Sequence, residues 1–496
     1  MTRGYGRRAP HATLSSTLIC GALALGLTLP GAARAAEPAL RPVPAASPEL
    51  PALAPSSQGL RPDWDAGTGK SYLTPALEII GFDLLLNQFN RRYFDCCDYD
   101  TSLSSVRRNL HRSWVTENDP FQVNQLGHPY QGSIYHGFAR SAGLNYWESL
   151  GYTFAGSIFW EIAGETTRPS KNDQIASGIG GTFLGEALFR MASLVLENAN
   201  GTPRFWREVS AAAISPSTGF NRLAFGDRYD NIFSSHGATY YSRFAVGASA
   251  APQNSPGAST RSDKAEGLFD FSIDYGLPGQ PGYNYKRPFD YFAFQATAST
   301  SNVFENVMTR GLLFGTDYEA GEHYRGVWGL YGSYDYLSPQ FFRVSSTALS
   351  LGTTGQLWLT DKLALQGTVM GGVGYAAVGT LGGVGESDYH YGIAPQALLA
   401  LRLIYGDKAS LDVTGREYFV TKVSASDRGG HDNIARVDVA LNWRIHRQHA
   451  IGVRYLWNRR DATFPDLGDL SQTRGTIGIF YTLLGHDRFG ATEWRK

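Results

Sequence analysis

The residues of this chain best placed to do chemistry are His128, Glu161, Glu165, Arg168 and Asp173. Glu161 and Glu165 lie four apart, so a helix that continues that far carries both on one face. His128 could approach them from the preceding turn, and Arg168 could neutralise one carboxylate. A histidine beside two glutamates suits general acid–base catalysis or the ligation of a metal. A structural reading competes: Glu165 and Arg168 as an ion pair, Asp173 as a helix cap, His128 as a hydrogen-bond donor that fixes a loop. That reading is favoured, because networks of paired charges perturb one another without catalysing anything. In Ser170-Lys171-Asn172-Asp173 the serine is a good N-cap and the aspartate sits where a capping acid would.

A second candidate set comes from the rhythm of the last third of the chain. From Ala435 to Ile445 the odd positions are Ala435, Val437, Val439, Leu441, Trp443 and Ile445, with Arg436, Asp438, Ala440, Asn442 and Arg444 between them. Ile451, Val453, Tyr455 and Trp457 repeat the pattern, as do Ile477, Ile479, Tyr481 and Leu483. A strand turns successive side chains to opposite faces, so each run has an apolar face and a polar one. If the apolar face meets lipid, Arg402, Arg416, Arg436, Arg444, Arg454 and Arg474 face inward, against Asp412 and Asp438. A wall of guanidinium groups could bind the phosphate or carboxylate of an anionic solute or lipid head group. The alternative is that these arginines dock the acidic helical segment as a plug, or form ion-pair ladders.

Period two runs from about Thr239 onward and marks about twelve strands, with the shortest turns at Gly406-Asp407 and Arg447-Gln448 and longer connections at 252–264, 377–388, 421–432 and 459–472. Short turns on one side and long loops on the other are the habit of outer-membrane barrels. The 57 Gly, 27 Tyr, 27 Phe and 10 Trp suit strands that alternate aromatic lipid contacts with small lumen residues. A soluble sandwich or propeller is disfavoured by the absence of a blade-like repeat and by the strand length. The chain ends Glu493-Trp494-Arg495-Lys496 rather than in a strand-terminal aromatic, an unusual tail for a barrel.

The N-terminus carries Arg3, Arg7 and Arg8, an apolar stretch from Leu14 to Leu29 and the small-x-small site Ala33-Arg34-Ala35. This is a secretory signal peptide over residues 1–35. The remainder has 40 basic and 44 acidic residues, so no basic surplus points to nucleic acid. Charge-free runs after the signal, such as Ser149–Trp160, are too short to cross a bilayer as a helix.

Residues 36–62 form a Pro/Ala-rich linker. Between 70 and 200 the period is helical: Leu77, Ile80, Leu84 and Phe89 mark one apolar face, and segments follow near 132–142, 146–163 and 174–197. Ser177, Gly181 and Gly185 put small residues on one helix face and permit close helix approach. Cys96-Cys97 are the only cysteines after processing, and no spacing supports a zinc site. There is no G-x-S-x-G elbow, no phosphate-binding G-x-x-x-x-G-K-[ST] loop and no H-E-x-x-H.

Between Asp119 and Glu186 the chain resembles DUF3943, a family of exported bacterial proteins of unknown function. The residues that carry it are Asp119-Pro120-Phe121, Asn124-Gln125, Gly127-His128-Pro129-Tyr130, Trp147-Glu148-Ser149, Gly164-Glu165, Arg168-Pro169-Ser170, Asn172-Asp173 and Gly185-Glu186. The resemblance is dense over this segment and loose over the flanking barrel, and the family supplies no activity. The order His128, Glu161, Glu165, Arg168, Ser170, Asp173, Gly181, Gly185 also resembles VanZ-like membrane proteins, which have spanning helices.

The expected architecture is mainly β with a helical N-terminal part: a helical domain over 63–221, then a transmembrane antiparallel barrel of about twelve strands over 222–496, the helices forming a plug or a periplasmic domain. The expected function is a non-enzymatic outer-membrane envelope component or selective pore. The alternative is an integral outer-membrane enzyme acting on a lipid or envelope glycan through His128, Glu161 and Glu165. The ligand-binding candidates are Arg168, Asp173, Arg436, Arg444, Arg454 and Arg474. No metal or cofactor is expected; the partners are outer-membrane lipid and an anionic solute or head group.

Overall fold

The computed structural model describes residues 61–496 apart from 94–96, 199–200, 251–264, 340–341, 380–386, 423–428, 466–467, 486–487 and 496. The export segment, nearly all of the linker and Cys96 lie outside the described residues, and Cys97 is exposed.

Twelve strands close into one antiparallel ring: β1 (Tyr240–Ala250), β2 (Glu266–Tyr275), β3 (Phe292–Ser299), β4 (Asn306–Ala320), β5 (Tyr324–Leu337), β6 (Arg343–Trp358), β7 (Leu363–Gly379), β8 (Tyr389–Tyr405), β9 (Ala409–Lys422), β10 (His431–His446), β11 (His449–Phe464) and β12 (Gly468–Leu484). β12 returns to β1, with Val246 opposite Tyr481, so no edge is left unpaired. The stretch 459–472, expected as a long connection, is mostly strand. Its charges mask the alternation: Arg460 turns inward to Asp432, while Arg459 pairs with Asp461 on the outside.

The alternation sorts the wall as the sequence suggests. Leu441, Trp443, Ile451, Tyr455, Ile477 and Ile479 stand exposed on the outside. Their neighbours Arg436, Asp438, Asn442, Gly452, Arg454 and Thr482 line a cavity of about 150 Å³ inside. Towards the longer loops the lumen is filled by an apolar layer that includes Leu337, Phe342, Val344, Val378, Tyr418 and Ile434. At the short-turn end the tail re-enters the barrel. Phe489 and Ala491 pack on Tyr241 and Trp358, Gln356 Nε2 donates to the Thr492 carbonyl at 2.6 Å, and Gln366 Nε2 donates to that of Gly490 at 2.8 Å. The tail that looked unusual in sequence therefore forms a stopper.

The helical part comprises α1 (Leu73–Tyr93), α2 (Leu103–Asn109), α3 (His128–Ser141), α4 (Tyr146–Phe159), α5 (Gly181–Glu197), α6 (Arg204–Ile214) and α7 (Pro216–Phe225). Wider helical turns lead into α3 (Val123–Gly127), out of α4 (Trp160–Gly164) and into α5 (Gln174–Gly180). Asn145 and Glu148 form a capping box that starts α4. The helices α3 and α5 cross closely at glycines: a Cβ on Gly181 would sit 2.7 Å from the Gly132 Cα, and one on Gly132 would sit 2.0 Å from the carbonyl oxygen of Ser177 in the turn that leads into α5.

This domain lies neither in the lumen nor beyond the barrel mouth. It packs against the outer wall. Phe183 covers Gly332, the Tyr334 hydroxyl donates to the Gln125 carbonyl at 2.5 Å, and Phe121 packs on the rings of Tyr336 and Tyr389. These wall residues alternate with Ser333 and Asp335, which face the lumen, so they point outward. At the short-turn end Arg190 donates to Asp290 at 3.1 Å and to the Pro288 carbonyl at 2.6 Å. The plug expectation fails because most of the lumen arginines already have aspartate partners, while the outer wall from β2 to β8 offers aromatic rings and glycine hollows to helices.

The helices run the height of the wall. One continuous stretch, Lys171–Glu197, is 27 residues long and apolar enough to cross a membrane, although 89% of its most apolar window is buried in the protein. Counting charge-free runs concealed it, because Glu186 and Arg190 interrupt the apolar sequence. Inside the fold they answer each other at 2.8 Å, and Arg140 Nε donates to Glu186 at 2.7 Å.

The amphipathicity of α1 is inverted. Its predicted apolar face points away from the protein, with Leu77 59%, Ile80 40%, Leu84 58% and Phe89 38% exposed. Its polar residues Glu78, Asp83, Asn87 and Asn90 face the interior. There Tyr135 donates to Asp83 at 2.5 Å, and Asn87 donates to the Gly164 carbonyl at 2.8 Å.

Candidate functional site

His128 opens α3, Glu161 lies in the wide turn that ends α4, and Asp173 lies in the turn capped by Ser170. Three chain segments thus bring three side chains together at the level of the barrel's long-loop rim. One ligating atom from each of His128, Glu161 and Asp173 lies within 4.8 Å of the others, and all three residues are buried. His128 Nε2 is 3.6 Å from Asp173 Oδ2, while Nδ1 is 3.4 Å from the Ser177 hydroxyl. Glu161 Oε2 accepts the Ser170 backbone N–H at 2.7 Å. Asn172 Nδ2 donates to Asp173 Oδ1 at 3.0 Å and to the Tyr391 hydroxyl at 2.7 Å, which ties the cluster to the wall.

Glu117 completes the group. Its loop is held beside the capped turn by the Val115–Ser170 bridge, and its backbone N–H donates to Asn172 Oδ1 at 3.0 Å. Its carboxyl stands close enough to Asp173 to feel that charge. Burial pushes the Glu117 carboxyl up to about 9, with Asp173 and Asp119 adding to the rise. No sequence spacing singled out Glu117. It stands eleven residues before His128 in a segment without a motif, and only the strand-like bridge to Ser170 brings it in.

Glu165 stands outside the three-way cluster: Oε1 accepts from Trp160 Nε1 at 2.8 Å and Oε2 from the Thr167 hydroxyl at 3.0 Å. Arg168 bonds Ser113, its Nη2 donating to the carbonyl at 2.9 Å, and does not reach Glu165. The Ser170 hydroxyl accepts the Asp173 backbone N–H at 3.3 Å, the expected cap. The arrangement can hold a cation between the carboxylates of Glu161 and Asp173 and the His128 imidazole, or share a proton among them.

The lumen arginines are paired. Arg402 donates to Asp412 at 2.6 Å and to Asp274 at 2.9 Å; Arg416 meets Asp335 at 3.2 Å. Arg454 Nε donates to Asp438 at 2.8 Å, and its Nη1 to Asp270 at 3.2 Å. Arg436 donates to Asn458 at 3.2 Å. Arg444 lies near the stopper, its guanidinium 5.1 Å from the Phe489 ring centre. Arg474 shares the inward register of β12 nearer the long loops, opposite Asn458. Arg243, which bonds Asp412 at 3.0 Å, belongs to the same ladder and was not singled out in the sequence. The arrangement is an ion-pair ladder in which aspartates answer most of the arginines.

Residues 113–217 match the family described as a domain of unknown function, DUF3943. No curated protein matches the chain in sequence. Among solved structures it is similar to the NanC porin, at 8% identity and a TM-score of 0.23, over 48% of this chain and 98% of that one. The KdgM porin aligns at 10% identity and a TM-score of 0.22, over 48% and 98%. The outer membrane channel DcaP of Acinetobacter baumannii aligns at 8% identity and a TM-score of 0.23, over 50% and 96%. The barrel itself is established by the closed ring of strand pairs.

Proposed function

We propose that this chain is an integral outer-membrane envelope component: a pore-like barrel held shut, carrying a helical domain on its outer wall with that domain's own apolar face in lipid. The inverted face of α1 carries the reading. A helix that buries Glu78, Asp83, Asn87 and Asn90 while exposing Leu77, Ile80 and Leu84 is built for an apolar solvent. Its 21 residues extend about 31 Å at 1.5 Å each, close to the hydrocarbon thickness of a bilayer. The exposed apolar residues of β6–β12 supply the rest of the lipid-facing belt.

Shut, rather than open, follows from the lumen. An apolar layer at one end and the tail at the other enclose a cavity of about 150 Å³ whose arginines are largely matched by aspartates. The test is a planar-bilayer recording of the full chain recovered from outer-membrane fractions. The expected result is recovery in that fraction with no steady conductance. Recovery as a soluble periplasmic protein, or a sustained current from the intact chain, would overturn the proposal.

A further inference from the structure

We propose that His128, Glu161 and Asp173, joined by Glu117, bind a divalent transition-metal cation of the zinc or manganese class. The argument starts from charge. Carboxylates are rarely buried unless paired, and the charged groups of this core show such pairing: Glu186 has Arg140 and Arg190, and Asp412 has Arg243 and Arg402, while Asp83 is met by the Tyr135 hydroxyl. Here the buried carboxylates of Glu161 and Asp173 converge with His128, and Asp173 is the one that pairs with its imidazole, at 3.6 Å. Among the described residues this is the one group of three or more His, Cys, Asp or Glu with ligand atoms mutually within reach of one ion.

Orientation is the second, independent observation. The Ser177 hydroxyl beside Nδ1 turns Nε2 of His128 towards the carboxylates, the arrangement an outer shell imposes on a metal-binding imidazole. Asn172 holds Asp173 Oδ1, which leaves Oδ2 facing His128. Ser170 holds Glu161 Oε2 through its backbone N–H. One imidazole with carboxylate oxygens suits Zn²⁺ and Mn²⁺ rather than thiophilic ions. Glu117 comes from a half-buried loop and gives the site a side from which an ion can enter.

The test uses the untagged full chain in detergent, stripped with chelator, gel-filtered after incubation with Zn²⁺ or Mn²⁺ and analysed for metal. The expected result is about one equivalent of one of these ions per chain, with a metal-dependent rise in Tm, as for any site whose binding is coupled to the fold. Asp173→Asn and Glu161→Gln should each weaken binding by more than about tenfold, as loss of a ligand requires. A variant counts only if its metal-free Tm and helical circular dichroism match those of the parent; if neither near-isosteric variant qualifies, Glu117→Gln, on the half-buried loop, takes their place. His236→Ala, which removes an exposed histidine 2.9 Å from Asp65, should leave binding unchanged. Sub-stoichiometric retention of both ions, or full retention by a folded ligand variant, would overturn the site and mean that the carboxyls share protons instead.

Discussion

The side chain of Asn172 and the hydroxyl of Tyr391 join the helical domain to the barrel, with Asn172 Nδ2 donating at 2.7 Å. Gln125 and Asn124 converge on the same hydroxyl at 3.0 and 3.3 Å. Tyr391 points outward from β8, so this is a polar knot between a wall that faces helices and a cluster of buried acids.

Replacing Tyr391 with Phe removes one acceptor from three buried amide donors. The expected loss is about 1–3 kcal/mol, the cost of leaving buried polar groups unmatched. It should fall on the helical domain alone. Helical circular dichroism in detergent should melt several degrees lower, while the barrel keeps its heat-modifiable migration on gels.

The crossing of α3 and α5 gives a sharper contrast. Gly132→Ala places a methyl 2.0 Å from the Ser177 carbonyl oxygen, and a helix backbone cannot step aside cheaply. Overpacking of this kind costs about 1–3 kcal/mol or more. Gly151→Ala, in α4 with nothing within 4 Å, should be neutral or slightly stabilising, since alanine is the better helix former. Chemical denaturation of the two variants side by side separates the effects; equal midpoints would refute the close crossing.

Glu186 is the centre of a buried charge group. It accepts from Arg140 at 2.7 Å and Arg190 at 2.8 Å, and His136 Nε2 lies 3.1 Å away. Glu186→Gln leaves the Arg140 guanidinium without its carboxylate in the core and Arg190 with Asp290 alone. Breaking a buried pair in this way costs about 3–5 kcal/mol. The variant should reach the membrane poorly and be cut by added protease within the helical domain, which limited proteolysis with mass mapping would show.

The barrel was legible in the sequence because each of its strands repeats one local rule. Ile477, Ile479 and Tyr481 alternate with small or polar partners, and that alternation fixes which face is which wherever a wall separates two solvents. The Ser170 cap was legible for the same reason, whereas the capping acid expected at Asp173 was not found: the Ser170 backbone N–H goes to Glu161 instead. The position of the helical domain was not, since nothing local to Phe183 or Gly332 says that they meet. The apolar stripe of α1 was read correctly as a stripe, yet a stripe does not say whether protein or lipid covers it. The candidate site was half legible. His128 and Glu161 were named together from order and spacing and Asp173 apart from them, as a cap and a ligand-binding candidate, whereas Glu117 depends on a bridge between distant segments. Glu165 and Arg168 were grouped with them by proximity in sequence, and the fold sends them to other partners.

Which solvent covers α1 can be decided with one charge. Leu84 is 58% exposed, so an arginine there meets no protein atom it must displace. On a water-facing helix the substitution is nearly neutral, because exposed surface positions tolerate change within about 0.5 kcal/mol. In hydrocarbon the same arginine costs about 2–4 kcal/mol near the bilayer midplane. Ile479→Arg, on the exposed wall of β12, calibrates the lipid cost in this protein, and Ser104→Arg, on exposed α2, calibrates the water cost. Folding equilibria of the three variants in phospholipid vesicles should place Leu84→Arg with Ile479→Arg. If it instead matches Ser104→Arg, the outer face of the helical domain lies in water, and the domain is carried outside the bilayer rather than within it.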